Sequence, residues 1–262
     1  MIARALSVVA LMAVLLAWPA ASRAAGDLAQ FAWQQRLGSA LPLDAVLRDE
    51  TGRAVRLGAL ISGRPAILAL GYFHCPNLCG VVRADLTDAL AGSGLHAPAD
   101  YALIVLSIDP DETAADARDA HQQEAARMPA AAEAAAWHYL TGSADALNAV
   151  EQAVGFRARF DPVLRQFLHP AGLVILTAQG AVSSYLLGVG YRPGDLRAAV
   201  TRAGEGGIAK AVLPVLLLCF HYDPVTGRYT LAVTRLLQLA AGITVLTLGG
   251  TIALALRRDR HR

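Results

Sequence analysis

Residues 71–80 read GYFHCPNLCG and join two segments of different hydrophobic pattern. The first segment, 65–73, is a continuous apolar run of the kind that forms a buried strand. The second segment, 81–91, carries its apolar residues at helical spacing. Cys75 and Cys79 therefore lie where a central strand is predicted to end and a helix to begin, and this junction decides the fold.

The position of the two cysteines favours reactive thiols. Backbone N–H groups and the helix dipole favour negative charge at a helix N-terminus, so a cysteine there ionises readily. Pro76 fits the first turn of a helix. If the helix starts at Cys75, Cys75 and Cys79 project from one face, where two thiols can close a disulfide or bind one soft metal ion. A plain structural disulfide and two buried free thiols are the alternatives, which the strand-to-helix position disfavours.

The two ends of the chain account for its mean hydropathy of +0.42, which is high for a soluble protein. Residues 1–24 have a positive start, an apolar run and small residues before position 25, which predicts a signal peptide cleaved after Ala24, with an uncleaved anchor as the alternative. Residues 236–256 carry no charge and are numerous enough to span a bilayer as a helix. The basic tail 257–262 is then expected in the cytoplasm.

This topology predicts a protein of the bacterial inner membrane with a single C-terminal span and its main domain in the periplasm. The expected parts are a linker or short helix over 25–40, a domain over 41–205 and a membrane-proximal segment over 206–235. A net charge of +2 is too small to indicate a nucleic-acid partner. Three cysteines leave one, Cys219, outside the pair.

Strands and helices are predicted to alternate through the domain, which favours a mostly parallel sheet covered on both faces. Hairpins are expected over 46–57 and 173–188, where alternating runs flank turn residues. The predicted single strands are 65–73, 101–109 and 137–141, and the predicted helices are 81–91, 113–128, 144–154 and 195–203, with a short turn or helix over 130–136. With the cysteine turn after the first long strand, this order is similar to an α/β thioredoxin-like fold with added β-hairpins.

Three segments resemble elements of the Sco/SenC family, the copper proteins of cytochrome oxidase assembly. Residues 72–79, YFHCPNLC, resemble its CPxxC element, and residues 107–113, SIDPDET, resemble its SIDP-type stretch. Residues 168–176, LHPAGLVIL, resemble its third element, a histidine just before a hairpin. The resemblance covers about residues 40–205.

The resemblance implies a copper ion, Cu(I) or Cu(II), bound by Cys75, Cys79 and His169. It further implies that the protein delivers copper to the dinuclear copper site of a haem–copper oxidase, or reduces the thiols of that site, with the copper-accepting subunit as its partner. The donor chemistry agrees, because two thiolates and an imidazole form a soft site suited to Cu(I) and able to hold Cu(II). A zinc site more often has four protein ligands.

The sequence departs from the family pattern in three respects. Gly80 stands where the family usually has proline, and Leu168-His169-Pro170 stands where it usually has Asp-His-Ser, which removes a possible carboxylate partner of the histidine. The predicted anchor lies at the C-terminus, whereas familiar members are anchored at the N-terminus.

A thiol–disulfide oxidoreductase without a stable metal is the alternative function. Cys75 would attack a target disulfide and Cys79 would resolve the mixed disulfide. The hypothesis needs no role for His169. A peroxiredoxin is disfavoured, since no peroxide-binding Thr/Ser and Arg set can be placed around one cysteine.

The remaining candidate residues carry weaker signals. His74 could tune the thiol of Cys75 or simply cap the strand. No role is assigned to three histidines expected in loops or facing solvent: His96, His121 and His138. Residues 211–220 are too few to span a membrane and are expected to lie on the outer leaflet. Cys219 and His221, which flank the end of that run, could share a metal contact, although packing is the favoured interpretation.

Overall fold

The structure is a computed structural model that describes residues 33–75, 79–127, 136–163, 165–211, 239–244 and 246–251. The chain divides into two compact units, 1–219 and 220–262. The predicted signal peptide 1–24, the cytoplasmic tail 257–262, and Cys219 and His221 lie outside the described residues.

The first unit contains nine strands and five helices among its described residues. The strands are β1 (Val46–Arg48), β2 (Ala54–Arg56), β3 (Ala66–Gly71), β4 (Ala102–Ser107), β5 (His138–Leu140), β6 (Arg159–Asp161), β7 (Gln166–Leu168), β8 (Gly172–Leu176) and β9 (Val182–Leu187). The helices are α1 (Leu57–Ile61), α2 (Cys79–Ser93), α3 (Ala114–Ala125), α4 (Ala144–Val154) and α5 (Pro193–Gly204).

A five-stranded sheet with the order β5-β4-β3-β8-β9 forms the centre of this unit. The pairs β3–β4 and β4–β5 are parallel, whereas β3–β8 and β8–β9 are antiparallel. The terminal hairpin β8–β9 pairs directly with β3, so two of the four strand pairs are antiparallel. The prediction of a mostly parallel sheet is therefore wrong. The three inner strands β3, β4 and β8 are almost entirely buried, as their apolar runs predict.

Apolar side chains cover the sheet on both faces. One core packs α2, α3 and α5 against the sheet, and the other packs α1 and α4 against the opposite face. Trp33, in the segment expected to be a linker, is buried in the second core, where its ring contacts Phe156 at 4.9 Å and Tyr185 at 5.5 Å.

Local signals in the sequence set the helix ends. Thr113 caps α3 in a capping box with Asp116, and Ser143 caps α4. α4 ends at Gly155, whose φ of 65° is left-handed. The prediction of α4 over 144–154 is confirmed, and so are both hairpins, β1–β2 and β8–β9. A third hairpin, β6–β7, is present but was not predicted.

The described helix α2 begins at Cys79 and not at Cys75. Cys75 therefore lies in the preceding loop, and the two cysteines do not share a helix face over the described residues. In the second unit, residues 239–244 and 246–251 are helical and fall inside the predicted span 236–256. Within the part of the chain that the structure describes, no helix has both the length and the apolar character needed to cross a membrane.

Candidate metal centre

Cys75 lies in the segment that follows β3, and Cys79 is the first described residue of α2. Cys75 is half-buried, whereas Cys79 is 3% exposed. The strand end and the helix start pack tightly here, since a Cβ on Gly71 would lie 3.5 Å from the Sγ of Cys79. Neither Cys75 nor Cys79 forms a disulfide.

His169 enters the same region from the other side of β3. It lies between β7 and β8, is 4% exposed, and its ring contacts those of Phe156 at 5.6 Å and Tyr72 at 6.0 Å. Its Nε2 lies 3.3 Å from the Sγ of Cys79. The strand order β4-β3-β8 therefore brings a histidine within contact distance of a cysteine 90 residues earlier in the chain.

A backbone carbonyl fixes the orientation of the His169 ring. The Nδ1 of His169 lies 3.0 Å from the carbonyl oxygen of Pro170, and a carbonyl can only accept a hydrogen bond. A neutral ring that donates from Nδ1 presents the lone pair of Nε2 towards Cys79. The carbonyl thus takes the place of the carboxylate that Leu168 does not supply, and the orientation suits metal binding.

The Cys75, Cys79 and His169 side chains form a group that fits one metal ion. Their ligand atoms all lie within 4.8 Å of one another. A thiolate sulfur and an imidazole nitrogen bound to one ion at about 2.3 and 2.0 Å would lie roughly 3.3–3.7 Å apart, and the Cys79–His169 distance of 3.3 Å agrees. Among the described residues, no other Cys, His, Asp or Glu joins the group. Two sulfurs and one nitrogen favour a soft ion.

Glu112 anchors the loop before Cys75, a role that the sequence did not reveal. Its carboxylate accepts the backbone N–H groups of Phe73 (2.8 Å) and His74 (2.7 Å) and the hydroxyl of Ser107 (2.5 Å). The sequence signal for this role is the position of Glu112 just after the end of β4, the parallel neighbour of β3. Parallel neighbours bring such residues together at one edge of a sheet.

Tyr72 is a second residue that sequence reasoning missed. Its hydroxyl is buried and has no hydrogen-bond partner of good geometry among the described residues. Burial raises the pKa of Tyr72, and the neighbouring thiols of Cys75 and Cys79 raise it further. Tyr72 also contacts Phe167 at 5.6 Å, so its ring touches β7 while its hydroxyl faces the thiols.

Comparison with known proteins identifies the family. The sequence model of the SCO1/SenC family matches residues 43–203, more than half of the chain. The chain belongs to the SCO1/SenC family. The resemblance inferred from the three sequence segments is thereby confirmed, and those segments all fall within the matched residues. No curated protein sequence matches the chain.

Solved structures confirm the thioredoxin-like fold of this SCO1/SenC chain. A proposed electron transfer protein from Aquifex aeolicus VF5 is 24% identical, with a TM-score of 0.57 over 65% of this chain and 95% of that chain. An SCO1/SenC family lipoprotein from Bacillus anthracis is 16% identical, with a TM-score of 0.54 over 66% and 99%. ScoI from Bradyrhizobium japonicum with copper bound is 20% identical, with a TM-score of 0.50 over 64% and 99%.

The other histidines that the structure describes, His74, His96, His121 and His138, lie outside the group. His74 is exposed beside Glu112 and Asp116, its ring nitrogens 3.1 and 3.5 Å from their oxygens. His96 is exposed in a loop, as expected. The expectation that His121 faces solvent is wrong, because its side chain is only 15% exposed and its ring stacks on Tyr139 with a centroid distance of 4.7 Å. His138 likewise belongs to β5 and is half-buried, and burial lowers its pKa.

Proposed function

We propose that this chain binds one copper ion through Cys75, Cys79 and His169 and delivers it to another protein. The observation that carries the proposal is the convergence of these three ligand atoms within 4.8 Å. Thiolates stabilise Cu(I), and the imidazole lets the same site hold Cu(II). Solved relatives support this assignment, since ScoI proteins from Arabidopsis thaliana and Bradyrhizobium japonicum carry copper.

The unequal exposure of the ligands suggests how the ion is passed on. Cys75 is half-buried, whereas Cys79 and His169 are buried. Incoming cysteine thiolates would therefore replace Cys75 first and the two buried ligands afterwards, so that the ion is never free. The acceptor that fits this exchange is the copper-accepting subunit of a haem–copper oxidase, which would receive the ion at its dinuclear copper site. A structurally similar Sco family member is a cytochrome c oxidase assembly protein, BsSco.

The location follows from the sequence of the two ends. A signal peptide over 1–24 and an anchoring helix over 236–256 would place the domain 41–205 on the periplasmic face of the bacterial inner membrane. The linker 25–40, the membrane-proximal segment 206–235 and the tail 257–262 complete this organisation. Protease accessibility of the domain in spheroplasts, compared with intact cells, would test it.

Copper stoichiometry of the full-length, reduced protein tests the copper proposal. The wild type is expected to hold one copper per chain, and His169→Ala is expected to lose it or bind it much more weakly. His96→Ala is the matched control, since it removes an exposed imidazole of the same domain. Equal copper binding by wild type and His169→Ala would contradict the ligand assignment.

The same exposure difference supports thiol–disulfide exchange as a second candidate function. The thiolate of Cys75 would attack a target disulfide, forming a mixed disulfide and releasing one target thiolate. The thiolate of Cys79 would then attack the sulfur of Cys75, which releases the second target thiol and leaves a Cys75–Cys79 disulfide. The target gains two electrons and this chain loses two, so an external dithiol must reduce the pair again. Efficient reduction of a partner disulfide without stable copper binding would favour this function.

A further inference from the structure

Glu112 is a buried carboxylate placed directly behind the cysteine loop. It is 8% exposed, and a buried charge is costly unless hydrogen bonds compensate for it. Oε2 accepts from the backbone N–H of Phe73 and from the hydroxyl of Ser107. Oε1 accepts from the backbone N–H of His74 and also lies 3.1 Å from the Nδ1 of that histidine.

These contacts connect two neighbouring strands at the edge where the site lies. Gly71, the last residue of β3, pairs in register with Ser107, the last residue of β4. The N–H of Ile108 donates to the carbonyl of Gly71 at 2.8 Å, which is the last backbone link between the strands. Beyond that point, the carboxylate of Glu112 continues the connection for two more residues. The loop therefore reaches Cys75 with its last two backbone N–H groups bound to one side chain.

We propose that Glu112 is a positioning residue that holds the backbone of Phe73 and His74 and thereby fixes where Cys75 meets Cys79 and His169. The inference rests on the proposed copper function for its role, but its structural content does not depend on copper. Glu112 binds the backbone of the two residues before Cys75 and so acts through the chain. Without it, the three ligand atoms would have to be brought together at the moment of binding, and the affinity would fall.

The variant Glu112→Gln tests the geometry with little change in shape. Each carboxylate oxygen accepts a different backbone N–H. Glutamine has one acceptor oxygen, and its NH₂ group is a donor. One of the two backbone N–H groups must therefore face another donor, so the variant cannot keep both hydrogen bonds, to Phe73 and to His74. Asp111→Asn is the matched control, because it removes the same charge from an exposed neighbouring residue.

The first measurement is copper affinity of the full-length, reduced protein by competition with a chelator of known affinity. We expect Glu112→Gln to bind copper about 10–100-fold more weakly than wild type, and Asp111→Asn to bind it as wild type does. Wild-type affinity in Glu112→Gln would overturn the inference. Failure of the wild type to bind copper would overturn the proposed function instead, and the second measurement then decides the inference.

The second measurement uses the metal-free protein. Amide hydrogen exchange at Phe73 and His74 is expected to be about fivefold faster or more in Glu112→Gln, and alkylation of Cys75 is expected to be faster, with Asp111→Asn unchanged in both. A merely structural effect would instead raise exchange across the sheet. If Glu112→Gln fails to fold, Ser107→Ala removes a single donor from Oε2 and should shift both measurements in the same direction by less. Unchanged exchange and alkylation in the variant that folds would overturn the inference.

Discussion

The candidate site has two sides that are held in place by different physics. The cysteine side, residues 71–75 and Cys79 with Glu112, is held by hydrogen bonds from the backbone of Phe73 and His74 to a buried carboxylate. The histidine side, Phe156 with residues 166–172, is held by ring packing and by the bond from His169 to the carbonyl of Pro170. Hydrogen bonds hold individual atoms, whereas packing depends on volume. Among the residues that support the ligands, substitutions on the histidine side should therefore reduce stability most, and substitutions on the cysteine side should reduce metal affinity most.

Two carboxylates, Glu112 and Glu151, differ in a related way. Glu112, on the cysteine side, is buried and fully supplied with donors. Glu151 belongs to α4, one turn before Phe156, and its carbonyl accepts the backbone N–H of Phe156 at 2.8 Å. Burial alone perturbs the Glu151 side chain and raises its pKa to about 7. Glu112 is thus part of the site, whereas the ionised side chain of Glu151 destabilises the folded protein.

The largest effect is expected from Phe156→Ala on the histidine side. Phe156 is 3% exposed and lies between the rings of Trp33 and His169. Removing it leaves a cavity in the second core and should lower the free energy of unfolding by about 3–5 kcal/mol. Urea denaturation measures this loss. Phe160→Ala, at a half-exposed ring of the β6–β7 hairpin, is the control, and equal losses in both variants would contradict the packing difference.

A somewhat smaller loss is expected from Gly155→Ala. Gly155 has a left-handed φ, and a Cβ there would lie 1.8 Å from the carbonyl oxygen of Gln34. Backbone strain of about 1–2 kcal/mol and crowding of about 1–3 kcal/mol should together lower the free energy of unfolding. Gly206→Ala has a similar φ with no atom within 4 Å of the added Cβ, so it measures the strain alone. Equal losses would show that the segment around Gln34 moves away freely.

An effect of about 1 kcal/mol is expected from Glu151→Gln; it develops as the pH rises above about 4.5 and is complete above about pH 7. The carboxyl ionises near pH 4.5 in the unfolded chain and near pH 7 in the folded protein. The folded state therefore binds its proton more tightly, and stability falls as the pH rises from about 4.5 to 7. Because the side chain is partly exposed, solvent screening reduces the full shift to about 1 kcal/mol.

Denaturation of the wild type and Glu151→Gln at pH 4 and pH 8 measures this difference. The two proteins should be equally stable at pH 4, and the variant should be the more stable at pH 8. Glu205→Gln, at the exposed end of α5, is the control. A variant that is less stable than wild type at pH 8 would contradict the inference that ionised Glu151 destabilises the folded protein.

The sequence predicted the parts of this fold that have strong local signals. The apolar runs of β3 and β4 and the capped helix α4 were found because burial and capping leave a pattern in consecutive residues. The three-residue strands β6 and β7 have no buried run and were missed. The pairing of β3 with β8 could not be read either, because antiparallel pairing across a hundred residues depends on the assembled sheet.

The same division applies to the site. Thiols and imidazoles carry recognisable chemistry in any fold, which made Cys75 and Cys79 candidates. The family resemblance added His169 to them. Their mutual distances remained unknown until β8 was placed beside β3. The role of Glu112 was hidden because an acidic residue after a strand is ordinarily exposed. Only the folded structure shows that Glu112 accepts two backbone N–H groups of the segment that follows β3.

The smallest effect is expected from Tyr72→Phe, which tests the contact between the two sides. The Tyr72 ring packs against Phe167 and His169, and its hydroxyl faces the thiols. Phenylalanine keeps the packing and removes a buried hydroxyl that lacks a hydrogen-bond partner of good geometry among the described residues. Stability should therefore stay equal or rise by less than about 1 kcal/mol. Tyr185→Phe is the control. The Tyr185 hydroxyl donates to the carbonyl of Val154 at 2.8 Å, so its removal should lower the free energy of unfolding. A loss in Tyr72→Phe as large as in the control would mean that the hydroxyl bonds firmly to the sulfur of Cys75, in which case hydrogen bonding, and not packing alone, joins the histidine side to the cysteines.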